Sequence, residues 1–429
     1  MNICIVGSGH IGLVTGACLA DMGNRVICMD DDERKIAVLK DGIIPFYEPE
    51  LEEIVHRNVA AGRLSFTTSV EEGVGSSGMV FICVGTPQWP DGSADLSFVE
   101  TASKRIAESM DDYKVIVDKS TVPVRTGGWV KRTVTLNCRQ NHDFDIVSNP
   151  EFLREGKAVY DFMHPDRIVI GAESERAANV MKELYRPLNA PIIVTSIETA
   201  ELIKHTSNAF LAMKVSYINA LANICEAVGG DVTQVADGMG IDRRIGRDFL
   251  DAGIGYGGYC FPKDVAAFIK IAEDAGYDFG LLKAVEEINA FQRRQIIKKT
   301  KSQLWNLNGK TIGILGLSFK PNTDDIREAP SIDIINQLQQ EGAKVKAYDP
   351  QAMEGVRLVT KNVELCPDPY QVADGSDALI IVTEWDEFKE LDLPRIKELL
   401  NQPVIIDGRN IFEPAEMEKL GFMYKGVGR

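Results

Sequence analysis

Hydrophobic positions along the first 150 residues gather into short runs. MNICIVG reads as a buried strand, HIGLVTGACLADMG as a helix ending at Gly23, and NRVICMD as a second strand. MVFICVG (79–85), YKVIVDKS (113–120) and FDIVSNP (144–150) follow, separated by helical or polar stretches. Apolar runs alternating with helices point to a parallel sheet covered on both faces. From about Ile197 the pattern changes. Residues 197–228 contain no proline and no glycine and stop at Gly229-Gly230, which predicts one long helix. More helix is predicted over TQVADGMG, KDVAAFIKIAEDAG and 281–306. After Asn308-Gly309 the alternation returns with GKTIGILGLSFK, a helix over SIDIINQLQQEG, then AKVKAYDP, DALIIVTEW and PVIIDGRN.

The two ends run in parallel: NRVICMDDD matches AKVKAYDPQ, MVFICVGTP matches DALIIVTEW, and KVIVDKST matches PVIIDGRN. The expected fold class is α/β: two Rossmann-like doubly wound domains joined by a central long helix and helical segment. The expected domains are 1–196, 197–305 and 306–429. A chain of 429 residues is too long for one ordinary core, which agrees with this division.

Composition narrows the function classes. A net charge of -16 argues against a nucleic-acid partner, which would need a basic face. No apolar run approaches bilayer-spanning length, so no membrane partner is expected. The first residues run directly into a strand and glycine loop, leaving no room for a signal peptide, so the expected location is cytoplasmic. Of eight cysteines, Cys4, Cys18, Cys28, Cys83 and Cys225 lie in apolar strand-like or helix-like runs and read as buried small hydrophobes. Cys138 and Cys366 sit in polar surroundings without partners. No CxxC pair occurs, so neither a metal site nor a dithiol motif is expected.

Gly7-Ser8-Gly9-His10-Ile11-Gly12 forms a GxGxxG that closes a strand and opens a helix, the context a dinucleotide fingerprint requires. Its glycines permit a tight turn and close approach to a pyrophosphate at the helix N-terminus. Asp30, eighteen residues beyond Gly12, stands where the ribose-binding acid belongs. Asp30-Asp31-Asp32 would repel a 2′-phosphate, so the expected cofactor is NAD. The ends of later strands carry Gly85-Thr86-Pro87, Ser120-Thr121 and Asn149-Pro150-Glu151, small or polar residues suited to a cofactor crevice.

GYGGYCFPKD (255–264) places Cys260 between a glycine-rich run and a Pro-Lys-Asp that suits a helix start. A helix N-terminus and the neighbouring Lys263 both favour a thiolate, as a nucleophile needs; an incidental turn residue is the alternative. Lys204 and Asn208, four residues apart, share a helix face and could meet on an oxyanion or a substrate hydroxyl. A solvent-facing stripe would have the same spacing. Asp264 could orient a water or a lysine, or could simply stabilise the first turn of its helix.

Taken together, GSGHIGLV, VGTP, STVP, NPEFLREG, ELIKHTSNAFLAMK, GYGGYCFPKD, GLSFKPNTDDIREAPS and IIDGRN span nearly the whole chain in order and resemble the nucleotide-sugar dehydrogenase family. The resemblance implies an N-terminal NAD domain, a central helix at the core of a homodimer, and a C-terminal Rossmann-like domain for the nucleotide of the sugar donor. It implies oxidation of a primary alcohol on the sugar to a carboxylate with two NAD, through a thiohemiacetal and then a thioester on Cys260. UDP-glucose is the substrate it favours; GDP-mannose or a UDP-N-acetyl-hexosamine would keep the chemistry. A non-catalytic NAD-binding regulator is the competing class, for which the set Cys260, Lys204, Asn208 and Asp264 has no use.

By matching motifs, Lys204 and Asn208 would stabilise the oxyanion, and Asp264 would act as base or water-orienter together with Thr121 and Glu151. Lys35, Thr86, Thr121, Glu155, Lys263 and Arg327 match cofactor contacts, beside Asp30 and the glycine loop including His10 and Ile11. Glu151, Phe152, Leu153, Phe249, Leu250, Asp251, Ala252, Gly253 and Gly257 match substrate contacts. Lys320 and Arg409 match cations on the substrate, and Arg244 one that reaches the neighbouring subunit's substrate. Three positions depart from the family pattern. His10-Ile11 replaces Tyr-Val and should perturb cofactor packing mildly, Tyr259 replaces the serine usual before the cysteine, and Arg154 adds a charge where alanine is common.

Overall fold

The computed structural model describes residues 1–139 and 142–429. The chain divides into two compact units, Met1–Ser207 with Ala266–Tyr277, and Asn208–Val265 with Asp278–Arg429. Among the described residues no helix is long and apolar enough to cross a membrane.

The first unit holds an eight-stranded sheet built from β1 (Asn2–Val6), β2 (Arg25–Met29), β3 (Leu64–Thr67), β4 (Met79–Ile82), β5 (Lys114–Asp118), β6 (Phe144–Ser148), β7 (Ile168–Ala172) and β8 (Ile192–Thr195). Their order is β3-β2-β1-β4-β5-β6-β7-β8. The first six are parallel, and β7 turns back antiparallel to β6. Side chains alternate between two cores, as a sheet covered on both faces demands. Ile3 and Ile5 join Leu13, Val14 and Ile36 on one face, while Cys4 and Val6 join Val74 and Ile106 on the other.

The second unit repeats the arrangement with β9 (Thr311–Leu315), β10 (Lys344–Tyr348), β11 (Val363–Leu365), β12 (Ala378–Ile381), β13 (Val404–Asp407) and β14 (Met423–Lys425). The order β11-β10-β9-β12-β13-β14 is that of the first six strands. The three segment pairs matched by sequence occupy the second, fourth and fifth strands of each sheet. Equivalence extends to the turn after the first strand. Gly7 N–H donates to Met29 O at 2.8 Å, and Gly316 N–H to Tyr348 O at 2.9 Å. Both glycines have left-handed backbones, with φ of 98° and 94°.

The long helix runs Ile197–Val228, with the unit boundary inside it, and further helices cover Val232–Gly240, Cys260–Asp274 and Gly280–Leu304. The first helix stops at Asp21, two residues short of the glycine that ends the pattern. The apolar cysteines Cys4, Cys18, Cys28, Cys83 and Cys225 are buried, and desolvation pushes the Cys4 and Cys83 thiols up to about 12. Cys138 and Cys366 are buried as well, against their polar local sequence. Cys260 alone is partly exposed.

Candidate active site

In the first unit the glycine loop has the geometry of a dinucleotide cradle. A Cβ on Gly12 would stand 1.8 Å from Gly7 O, so the helix start can pack on the turn only without a side chain there. A Cβ on Gly9 would meet no protein atom within 4 Å, which leaves open the space a pyrophosphate needs. The helix His10–Asp21 has no capping side chain and no acid in its first turn, so its leading N–H groups and dipole favour an anion. Asp30 directly follows β2, its Oδ2 accepting from Ser8 N at 2.7 Å and Lys35 Nζ at 2.8 Å. Lys35 is thus held by the acid expected to read the ribose. These residues fit NAD.

His10 does more than fill the place of a tyrosine. Its ring stacks on Phe46 with centroids 4.6 Å apart, and its Nε2 stands 2.9 Å from Glu48 Oε2. Buried Glu48 also accepts from Gly156 N and Ala158 N, both at 2.7 Å. The glycine loop is thereby tied to the segment that carries Glu155. Arg154, by contrast, turns to the surface and is neutralised by Asp161, Nη2 to Oδ1 2.6 Å.

The strand ends beyond β4, β5 and β6 supply the remaining polar groups of this unit. Thr86 Oγ1 donates to Thr121 O at 2.9 Å. Lys204 and Glu151 form a buried ion pair, Nζ to Oε1 2.7 Å, each side chain only 4% exposed. Glu151 Oε2 accepts from Leu153 N at 2.6 Å, and the Phe152 ring lies 3.6 Å from the Arg167 guanidinium carbon and 5.5 Å from Lys204 Nζ. The solvent-facing alternative for Lys204 is thereby removed. Nearby Lys119, which the sequence reading passed over, is buried with its Nζ 3.2 Å from Asn149 Oδ1, and desolvation pushes it down to about 8. Its only sequence signal is a lysine immediately after an apolar strand.

In the second unit the helix Cys260–Asp274 begins at the cysteine. Asp264, one turn along, is buried and bonded twice: Asn208 Nδ2 donates to its Oδ2 at 2.6 Å and Lys263 Nζ to its Oδ1 at 2.7 Å. An ordinary first-turn acid would be solvated, so Asp264 is an interior partner rather than a helix stabiliser. The glycine run before the cysteine is sterically required. A Cβ on Gly257 would lie 2.2 Å from Glu328 O, and Gly258 has φ +79° with Phe319 directly over it. The Tyr259 ring lies 4.3 Å from the Arg327 guanidinium carbon and 5.4 Å from Lys263 Nζ, a cation–π arrangement a serine could not make.

Arg409 follows β13 and ties the second unit together: Nε donates to Val382 O at 2.8 Å, and Nη1 to Gly255 O at 3.2 Å. Gly253 N–H donates to Asn219 Oδ1 at 2.8 Å, a Cβ there would stand 2.9 Å from Gly408 O, and Leu250 and Ala252 are buried beside it. Phe249 adopts φ 63° and packs on Phe261. Lys320 lies over Phe319 at 5.3 Å. Arg244 and Asp251 stand apart: the Arg244 side chain is 88% exposed and paired with Asp242, and Asp251 pairs with Arg247.

The sequence matches the UDP-glucose/GDP-mannose dehydrogenase family over residues 1–189 (NAD binding domain), 198–291 (central domain) and 313–414 (UDP binding domain). It is 51% identical over 429 residues to UDP-glucose 6-dehydrogenase TuaD of Bacillus subtilis (strain 168), covering all of this chain and 93% of that one. Among solved structures it is similar to a UDP-glucose dehydrogenase from the hyperthermophilic archaeon Pyrobaculum islandicum, with a TM-score of 0.93 at 39% identity over 99% of this chain and 97% of that one. A UDP-D-ManNAc dehydrogenase from Pyrococcus horikoshii gives a TM-score of 0.88 at 28% identity over 100% and 99% of the two chains. Matched in order by all three domains of one family and along its whole length by such relatives, the chain belongs to the UDP-glucose/GDP-mannose dehydrogenase family and is an NAD-dependent dehydrogenase.

Proposed function

We propose that this dehydrogenase oxidises UDP-glucose to UDP-glucuronate with two NAD, through a covalent adduct on Cys260. The observation that carries the reading is the setting of that thiol. Seven cysteines are buried, while the eighth opens a helix beside a buried acid bonded to both a lysine and an asparagine. NAD, when bound, accepts a hydride from the sugar carbon in each of the two oxidations. In the first, the hydroxyl proton passes to a base, for which Asp264 and Lys204 are the candidates. The Cys260 thiolate then adds to the aldehyde carbon, and Lys204 and Asn208 stabilise the oxygen that gains charge. Loss of the second hydride from this thiohemiacetal leaves a thioester. Water attacks its carbonyl with help from Asp264, Thr121 and Glu151, releasing carboxylate and thiol.

UDP-glucose is preferred as substrate because the 51% identical relative bears that activity in its name, whereas the UDP-D-ManNAc dehydrogenase is 28% identical. Tyr259, clasped by Arg327, is the feature that keeps an N-acetylated hexosamine as the second reading. The division of labour that follows is residues 1–196 for NAD, 197–305 for dimerisation and the cysteine loop, and 306–429 for the nucleotide. Phe210, Tyr217 and Ile224, seven residues apart on the long helix and 58%, 51% and 55% exposed, support a homodimer along that face. A cytoplasmic location goes with this reading.

The test is stoichiometric. With UDP-glucose as limiting substrate, the expected yield is two NADH per sugar; one would reduce the protein to an alcohol dehydrogenase, and none would favour a regulator. Cys260→Ala should form no UDP-glucuronate, and acid production at the wild-type rate would exclude the covalent route.

A further inference from the structure

The long helix carries more buried polar side chains than the proposed chemistry uses. Glu201, Lys204, His205 and Asn208 are all buried and follow the i, i+3, i+4, i+7 spacing of one helix face. Lys204 reaches Glu151, and Asn208 reaches Asp264. The other two close on residues 119–127, the segment that carries Thr121. His205 Nε2 lies 2.7 Å from Val122 O. A carbonyl oxygen only accepts, so Nε2 carries the proton and donates. Glu201 accepts from Arg125 N at 2.6 Å and Gly127 N at 2.8 Å.

Thr121 is therefore bracketed. Its own carbonyl accepts from Thr86 Oγ1, and the next carbonyl along, that of Val122, accepts from His205. The Thr121 carbonyl lies in the peptide plane that follows Thr121 and the Val122 carbonyl in the next, so the two bonds fix successive planes on either side of Val122 and limit how far the backbone carrying the Thr121 side chain can turn. Ser120 Oγ adds a bond to Val84 O at 2.9 Å on the preceding side. The His205 ring lies flat to Phe268, with centroids 6.2 Å apart, which sets the angle of the donated bond.

We propose that His205 is a positioning residue for the dehydrogenase reaction: its Nε2–H holds Val122 O and so aims Thr121 at cofactor and substrate. The inference rests on the function proposed above only in supposing that Thr121 serves there. A histidine that merely filled space would be replaced by leucine without loss.

Three variants separate these cases. His205→Gln keeps an amide N–H at the reach of Nε2, His205→Asn carries one too short for Val122 O, and His205→Leu has none. Leucine and asparagine are expected to lower kcat about 10- to 100-fold, the scale of an ångström-level misplacement, and glutamine to stay within about 3-fold of wild type. NAD affinity, titrated without any sugar, should follow the same order. Wild-type kcat and NAD affinity in His205→Leu, or glutamine as impaired as asparagine, would overturn the proposal. Should the leucine protein not fold, the glutamine–asparagine comparison decides alone. A wild-type enzyme that leaves every nucleotide sugar untouched would defeat the proposed function, while the NAD titration would still judge His205.

Discussion

The buried pair of Lys204 and Glu151 offers the sharpest quantitative test. Lys204→Met keeps the length and apolar stem of the side chain and removes only the ammonium. Glu151 is then left with a backbone N–H from Leu153 on one oxygen and nothing in place of the Nζ that stood 2.7 Å from the other. With both side chains 4% exposed, solvent cannot take over. Orphaning a buried charge costs about 3–5 kcal/mol, whereas breaking an exposed pair costs about 0–1 kcal/mol. At roughly 2–4 °C per kcal/mol for a unit of about 200 residues, the first unit's transition should drop by about 10 °C. Scanning calorimetry reads this directly. Adding Glu151→Gln removes the stranded charge, so the double variant should recover more than half of the loss while staying inactive. A single variant whose transition moves by less than about 2 °C, or a double variant no more stable than the single, would refute the account of this pair.

Gly257→Ala places a methyl group 2.2 Å from Glu328 O and 3.1 Å from Pro330 Cδ, where backbone must move. Urea denaturation should show a loss of about 1–3 kcal/mol and activity assays a fall in turnover; unchanged values would mean that the cysteine loop yields freely. Glu201 gives a pH signature. Burial pushes its carboxyl from an ordinary 4.5 up to about 7, against the pull of the Gly127 and Arg125 N–H groups. An acid raised in the folded state stabilises fully below the unfolded value and loses that contribution as pH climbs through the folded one. The stability of wild type minus that of Glu201→Gln should therefore fall by about 3 kcal/mol between roughly pH 4.5 and 7. A flat or rising difference would contradict it.

Much of the architecture was legible because it depends on local periodicity. Nine of the fourteen described strands, all but β3, β7, β8, β11 and β14, coincide with the short runs read from the sequence, and the long helix stops at Val228, where the glycine-free stretch meets Gly229-Gly230. The likeness of the two halves, seen in three segment pairs, recurs as the same strand order. What escaped depends on partners distant in sequence. The spacing of Lys204 and Asn208 was visible, but whether that face meets solvent or protein was not, since Glu151 and Asp264 lie 53 and 56 residues away. Glu201 and His205 on the same face gave no local signal at all. His10 looked like a mild substitution because Glu48 joins it only after the loop before Leu51 folds back. Burial of Cys138 and Cys366 and the antiparallel turn into β7 are likewise set by packing that no short window contains.

The repeated sheet has a consequence at Asp349, the counterpart of Asp30. Its Oδ2 accepts from Leu317 N at 2.7 Å, Ser318 N at 3.0 Å and the Trp385 indole at 3.1 Å, its Oδ1 from Gln351 N and Ala352 N, and the side chain is sealed from solvent. An acid so fully engaged by its own fold has no lone pair left for a ribose. Among the described residues the second sheet thus offers no free ribose-reading acid at this position, although it repeats the strand order of the first. Under the proposed function, the two hydrides would leave one sugar by turns, the spent coenzyme departing and a fresh one arriving in between. On that proposal the half-oxidised sugar would need an anchor during the exchange, and a sulphur–carbon bond to Cys260 would keep the reactive aldehyde from drifting away.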